Sequence, residues 1–210
     1  MNRRVVITGA GIVSSIGVGV DEFWRHCLQG TSSVAPIPGH WLRYTEPHSR
    51  IWSPLPKYDS ESFGITRIER LQLDPVTVLA IGAAREAIER AGFATAPGEG
   101  RSRDFVLSGA DAARTGVYFG TGIGGAQTFL HSHAYHLHQR ACATLKTYTE
   151  KCTIPEDRAM LEDLLALISQ GQRYNPFVVP MLMPNAPAAA VGIKFSLTGP
   201  NATYCVACAS

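Results

Sequence analysis

Apolar and polar positions along the chain follow two periods in alternation. Val5 to Thr8 (VVIT) is a β-branched run closed by Gly9, Gly11 and Gly17, and it predicts a buried strand entering a tight turn. DEFWRHCLQG follows, with Asp21 as its expected cap, an apolar stripe of Phe23, Trp24, Cys27 and Leu28, and Gly30 as its stop. Residues 31–72 are rich in Pro, Ser, Gly and aromatic residues and predict a long structured loop. The clearest helix is VTVLAIGAAREAIERAG, with Asp74 as N-cap, Pro75 at the first position and Gly92 at the end. Val78, Ile81, Ala84 and Ile88 share its inner face, whereas Arg85, Glu86, Glu89 and Arg90 are expected to face solvent.

A second loop is expected over residues 94–112. Thr115 to Phe119 (TGVYF) then predicts a strand running into GTGIGG, and residues 128–171 predict mostly helix. From Asn175 the chain reads NPFVVPMLMPNAPAAAVGIKFSLTGPN: an Ala-rich helix after Asn185, a strand candidate, then a Gly-Pro turn. Tyr204-Cys205-Val206 is expected to be a short buried strand, with Ala207 onward opening a helix. Strands alternating with helices indicate an α/β fold with a largely buried sheet. No internal repeat or low-complexity tract interrupts the pattern.

Composition narrows the function classes. The 210 residues are 45% hydrophobic and 17% charged, a globular balance. A formal net charge of +2, with no Lys/Arg run, gives no phosphate-tracking stripe for nucleic acid. No apolar stretch approaches the roughly 20 residues a membrane span needs. MNRRVVITGAG reads as a strand entering a turn rather than a signal peptide, so a cytoplasmic location and reduced cysteines are expected, although the five cysteines are an odd number.

Four motifs carry possible chemistry. GTGIGG (120–125) fits G-x-G-x-x-G after a strand, but the acidic residue expected about 20 positions on is not evident, so glycines serving a tight strand-to-helix turn are the stronger reading. HSHAYHLH places His131, His133, His136 and His138 together; His133 and His136 are i,i+3 neighbours, yet no Asp, Glu or Cys is interleaved to complete a metal site. Cys205-Val-Ala-Cys208 has no partner CxxC and makes a poor zinc site. A redox pair is disfavoured by strand-then-helix geometry, which would bury Cys205 in the strand and expose Cys208 at the turn. Asn201-Ala-Thr203 matches a glycosylation acceptor but has no meaning without secretion. Cys208 itself sits among small residues where a helix should begin. Unpaired amides there favour thiolate over thiol and can hold an oxyanion when a thioester is attacked. A structural buried cysteine is the competing local reading.

The chain resembles the N-terminal half of the β-ketoacyl-acyl-carrier-protein synthases, type I/II condensing enzymes with the thiolase fold. The likeness runs through RRVVITGAGIVSSIG, FWRHCLQGTSSV, RLQLDPVTVLAIGAAREAIERAGF, TGVYFGTGIGG, NPFVVPMLMPN and KFSLTGPNATYCVACAS. It implies the N-terminal half of a layered α-β-α-β-α architecture, cut at the start of a buried nucleophile helix. It also implies that Cys208 accepts the acyl group and that its N–H is half of the oxyanion hole. Ile123 would gate the acyl pocket, and Val178 would line the acyl channel near a dimer interface. Cysteine at 208 argues against a chain-length-factor homologue.

The implied reaction is ping-pong acyl transfer from acyl carrier protein, then decarboxylative condensation with malonyl-carrier thioester to a 3-oxoacyl product. No metal or redox cofactor is expected. The implied partners are acyl carrier protein and a second copy or related ketosynthase subunit, in fatty-acid or polyketide synthesis. Two features depart from the family pattern: a longer helical segment at about 128–174, and Pro187 where a helix should begin, a position its first turn tolerates. The family's two catalytic histidines, lysine and second oxyanion segment follow the nucleophile, so residues 1–210 are expected to be one incomplete domain: a truncated product, a fragment or half of a split enzyme. The rival expectations are a non-catalytic homologue that binds carrier protein or a partner subunit, and a nucleotide-dependent oxidoreductase using GTGIGG.

Overall fold

The computed structural model describes residues 4–39, 48–98, 106–107, 109–169 and 175–210. Parts of both expected loops, 31–72 and 94–112, and the end of the expected 128–171 helical stretch lie outside the described residues.

The fold is a mixed α/β arrangement centred on two helices, Pro75–Arg90 and Ala186–Phe195. Before the first come the hairpin β1 (Val13–Ser14) and β2 (Gly17–Val18), helix α1 (Val20–Gln29), the pair β3 (Ala35–Pro36) and β4 (Ile51–Trp52), a 3-10 turn at Ser60–Phe63 and the short α2 (Arg67–Arg70). Pro75–Arg90 is α3. Then come β5 (Thr95–Ala96), β6 (Val106–Leu107), α4 (Gly109–Arg114), β7 (Val117–Gly120), α5 (Ala126–Lys151), α6 (Pro155–Ser169) and α7 (Val178–Leu182). Ala186–Phe195 is α8, followed by β8 (Asn201–Tyr204) and a last 3-10 turn at Ala207–Ala209.

Helix α3 forms as its sequence demands. Asp74 caps it by accepting the Val76 amide at 3.0 Å, and Pro75 occupies the first turn. Its inner face, Val78, Ile81 and Ile88, packs with Phe63, Ile65, Leu107, Val191 and Phe195 as one buried cluster. Gly82 lets the Phe63 ring lie on the helix; a Cβ there would sit 2.7 Å from the ring. Helix α8 tolerates Pro187 in its first turn, where no intrahelical N–H is needed, and buries that ring.

Several expectations are corrected. VVIT is not a strand: no described strand bonds to it, and Val5 and Ile7 are 96% and 93% exposed. The segment after it is nonetheless pinned, since Gly9 and Gly11 lie directly on the α3 backbone. Glu86 does not simply face solvent. Its carboxylate accepts the amides of Ile12 (3.0 Å) and Val20 (2.7 Å), and Arg90 donates to it at 3.0 Å. Arg90 also pairs with Asp21 at 2.6 Å, and these two acids hold the guanidinium pKa above its ordinary value, Asp21 foremost. Asp21 therefore serves this ion pair, while Gly19 takes the N-cap position of α1. The α1 stripe is not buried: Trp24 and Leu28 are exposed, as is Cys27.

Further along, β3, β4, α2, β5, β6 and α4 subdivide the two expected loops. The strand candidate after the Ala-rich helix is instead the end of α8, which Ser196 closes in the left-handed region at φ 56°. The last strand is Asn201–Tyr204 rather than 204–206, because its partner β7 ends at Gly120, opposite Tyr204. Among the described residues the strands form four two-stranded pieces, and β7–β8 is the parallel pair. Each strand has one neighbour, so the sheet is half-exposed where a buried one was expected. The expected helical stretch is present as α5 and α6, which pack against each other.

Candidate functional site

Strands β7 and β8 run parallel and end side by side, so the segments leaving them meet. After β7 comes the loop Thr121–Gly125; after β8 come Cys205, Val206 and the turn at Ala207–Ala209. Thr121 donates its amide to the Tyr204 carbonyl at 3.0 Å, extending the ladder by one rung. The Cys205 thiol points toward the Gly122 carbonyl at 3.7 Å. Ser210 ties both segments together: its hydroxyl donates to the Thr121 carbonyl at 2.9 Å and accepts the Val206 amide at 2.8 Å. Gly120 makes this approach possible, because a Cβ there would stand 2.9 Å from the Ser210 carbonyl carbon.

The turn itself is tight. Ala207 has φ 52°, a left-handed conformation that costs an alanine about 1 kcal/mol and is held by the surrounding bonds. The amides of Ala209 and Ser210 fold back onto the Val206 and Ala207 carbonyls, while the Cys208 amide makes no hydrogen bond among the described residues. Cys208 is exposed. An exposed thiol beside an unspent amide is an arrangement that can accept an acyl group and hold an oxyanion. The helix expected from Ala207 is a single 3-10 turn over the described residues. The expected burial of Cys205 is corrected: it is exposed, because the β7–β8 ladder stops one residue before it.

GTGIGG serves the chain's own backbone. Gly124, at φ 81°, lies against Pro184, and Gly125 against the Met181 carbonyl, so the loop delivers α5 onto α7. Thr121 closes it by accepting the Gly124 amide on its hydroxyl at 3.0 Å. Ile123, at the tip, is 66% exposed. Val178 is half-buried at the start of α7 and lines a cleft of about 180 Å3 between α5 and α7. The loop thus touches the Cys208 segment on one side and α7 on the other, but neither Cys208 nor Ile123 lines the cleft that holds Val178.

The histidines separate. The His133 ring stacks near Phe129 and the His136 ring lies edge-on to Tyr135, whereas His138 Nε2 stands 3.6 Å from the Cys142 thiol. Cys142, which His138 approaches, follows the run by one helical turn, so no Asp, Glu or Cys is interleaved among the four histidines, as expected. No group of three or more His, Cys, Asp or Glu among the described residues is placed to share a metal.

Two arrangements were not foreseen from the sequence. Asp74 reaches from the cap of α3 to Thr128 in the first turn of α5. Lys194, buried on α8, donates to the Gly64 carbonyl and to Glu69 at 3.3 Å. Asp74 as an N-cap was legible; its second partner and the Lys194–Glu69 pair depend on contacts 54 and 125 residues apart.

Residues 2–210 match the family described as "Beta-ketoacyl synthase, N-terminal domain". The chain is 30% identical over its whole length to "3-oxoacyl-[acyl-carrier-protein] synthase 2" of Staphylococcus aureus strain N315, and covers 40% of that protein. It is 25% identical to the protein of the same name from Synechocystis sp., of which it covers 39%. Among solved structures it resembles a β-ketoacyl synthase from Burkholderia phymatum STM815, with a TM-score of 0.60 and 23% identity over 98% of this chain and 40% of that one. It also resembles the ishigamide ketosynthase/chain length factor, with a TM-score of 0.59 and 18% identity over the same shares. The fold is therefore the ketosynthase, thiolase-like fold, and the chain spans about 40% of the length of the curated relatives it matches.

Proposed function

The chain belongs to the β-ketoacyl synthase family, and we propose that Cys208 is its acyl-accepting nucleophile, in a 3-oxoacyl-[acyl-carrier-protein] synthase of fatty-acid or polyketide synthesis. The observation that carries this is the exposed Cys208 thiol with its unspent amide, on the tight turn where β7 and β8 end.

The Cys208 sulfur attacks the carbonyl of an acyl-carrier thioester. The carrier's C–S bond breaks, and its thiol leaves with the proton given up by Cys208. A malonyl thioester then loses carbon dioxide, and the carbanion so formed attacks the acyl-cysteine. A new C–C bond forms, the Cys208 thiolate departs, and a 3-oxoacyl thioester two carbons longer results. The amide of Cys208 supplies one donor to the oxyanion in both attacks. Ile123 gates the acyl pocket and Val178 lines its channel. We read residues 1–210 as one domain, the N-terminal half of the enzyme. The family resemblance implies that the second oxyanion donor and the groups promoting decarboxylation come from the other half. The proposed partners are acyl carrier protein and a second copy or related ketosynthase subunit, in the cytoplasm. Among the described residues no helix is long and apolar enough to cross a membrane.

The test is to incubate the full-length protein with an acyl-carrier-protein thioester and map the acyl group by peptide mass. The acyl group is expected on Cys208 and lost in Cys208→Ala. Acylation of the exposed Cys27 or Cys205 in place of Cys208, or of none, overturns the reading.

A further inference from the structure

Helices α5 and α6 pack against each other and are joined only by residues 152–154, so they form an antiparallel hairpin. Burial marks the seam between them: Cys142, Leu145 and Thr149 on α5, Leu161 and Leu165 on α6. A second stripe precedes this seam by one residue, about 100° around each helix. It consists of Ala141, Thr144 and Tyr148 on α5 and of Met160 and Leu164 on α6, and all five are exposed. The two helices face each other and run in opposite directions. The same one-residue step therefore brings both stripes to one side of the hairpin. Beyond each stripe lies a charged rim, basic on α5 (Arg140, Lys151) and acidic on α6 (Glu156, Asp163). None of these four makes an ion pair among the described residues, whereas Arg158 and Glu162 pair with each other at 3.0 Å on the other side of α6.

We propose that this face docks on the same face of a second copy, α5 of one protomer against α6 of the other, with both turns at the same end, to make a four-helix bundle. The proposal deepens the pairing with a second copy given above by naming its surface. Charge selects the arrangement. Pairing α5 with α5 would set Arg140 and Lys151 against their own kind, and α6 with α6 would do the same to the acids. Pairing α5 with α6 sets each basic rim along an acidic one. Lys151 ends α5 and Glu156 begins α6, so across the two copies they meet at one height. Arg140 lies about 16 Å below the turn and Asp163 about 12 Å below it, within one helical turn of each other. The apolar residues mesh in the same register. Leu164 falls at the height of the small Ala141 and Thr144, and Met160 falls between Thr144 and Tyr148, so large side chains enter gaps between neighbours on the facing helix.

The experiment measures the dimer dissociation constant of the full-length protein by sedimentation velocity over a dilution series. Three variants are compared: Arg140→Glu with Lys151→Glu, Glu156→Lys with Asp163→Lys, and all four together. Each double reversal sets like charges along both grooves and is expected to weaken the dimer about tenfold or more. The fourfold reversal restores opposite charges and is expected to return the constant to within about threefold of the unaltered protein. Circular dichroism checks that the helices persist in each variant. A dimer that no reversal weakens overturns the inference and leaves pairing with a second copy standing; that result also follows if the rest of the chain covers this face. Weakening without recovery in the fourfold variant overturns it as well. A monomer at every concentration overturns both the pairing and its surface. Acylation of Cys208, followed in the same samples, decides the acyl-transfer reading separately.

Discussion

Asp74 joins the first turns of two helices that lie far apart in sequence. Its Oδ1 accepts the Val76 amide at 3.0 Å, capping α3, while its Oδ2 accepts both the amide (2.9 Å) and the hydroxyl (2.7 Å) of Thr128 in α5. Asp74 is only 2% exposed. Through Thr128 it anchors the helix that the Thr121–Gly125 loop feeds, so the position of that loop depends on α3. Replacing Asp74 with Ala removes the cap and leaves two buried donors unpaired. We expect a loss of about 2–4 kcal/mol in urea unfolding, with Asp74→Asn retaining part of it. A loss below about 1 kcal/mol would show that Thr128 finds other partners.

The Lys194–Glu69 pair supports a second prediction. Glu69 closes the capping box of α2, exchanging bonds with Thr66, and its carboxylate also receives the Lys194 ammonium. Lys194 is 3% exposed and its stem packs in the core side of α8. Glu69→Ala removes the carboxylate that faces this buried charge and is expected to cost about 3 kcal/mol. Lys194→Met keeps the packing without the charge and should cost less than Lys194→Ala, as read by thermal melts of the three variants.

Glycines separate steric from conformational need. Gly82→Ala drives a methyl to 2.7 Å from the Phe63 ring, an overpacking expected to cost about 1–3 kcal/mol. Gly30→Ala meets nothing within 4 Å, yet must hold φ 65° at the end of α1, and is expected to cost about 1 kcal/mol. Denaturant midpoints for the pair check the order; a larger loss at Gly30 would contradict it.

Ser210 holds the turn that presents Cys208. Ser210→Ala releases the Val206 amide and the Thr121 carbonyl together. Acylation of Cys208 is expected to slow about tenfold through misplacement of the thiol, with Ser210→Thr retaining most of the rate. An unchanged rate in Ser210→Ala would show that the ladder between β7 and β8 positions the turn unaided.

Local pattern made the strongest elements legible. The Asp74-Pro75 start, the Val78/Ile81/Ile88 face and the stop at Gly30 each follow from groups within one turn of each other, and each is found in the structure. The strand running into GTGIGG was legible in the same way, and Cys208 is exposed as expected, whereas the helix expected from Ala207 is a 3-10 turn over the described residues. Glu86 was misread as a solvent charge because its partners, the Ile12 and Val20 amides, are 74 and 66 residues away. The last strand was misplaced by three residues because its register is set by the end of β7 at Gly120 and not by its own composition.

By itself the sequence determined the start of α3, the stop of α1, the apolar face of α3 and the family. Those depend on short-range sterics, capping and periodicity, which travel with the residues. Tertiary structure alone decided that Thr128, His131, Ser132 and Tyr135 face a cleft while Phe129, Leu130 and Leu137 face outward, and that Ser210 bridges two strand ends. A helix has no inside until something packs against it, and a hydroxyl has no partner until two segments meet. These features were therefore fixed by the placement of α7 against α5 and of β8 beside β7.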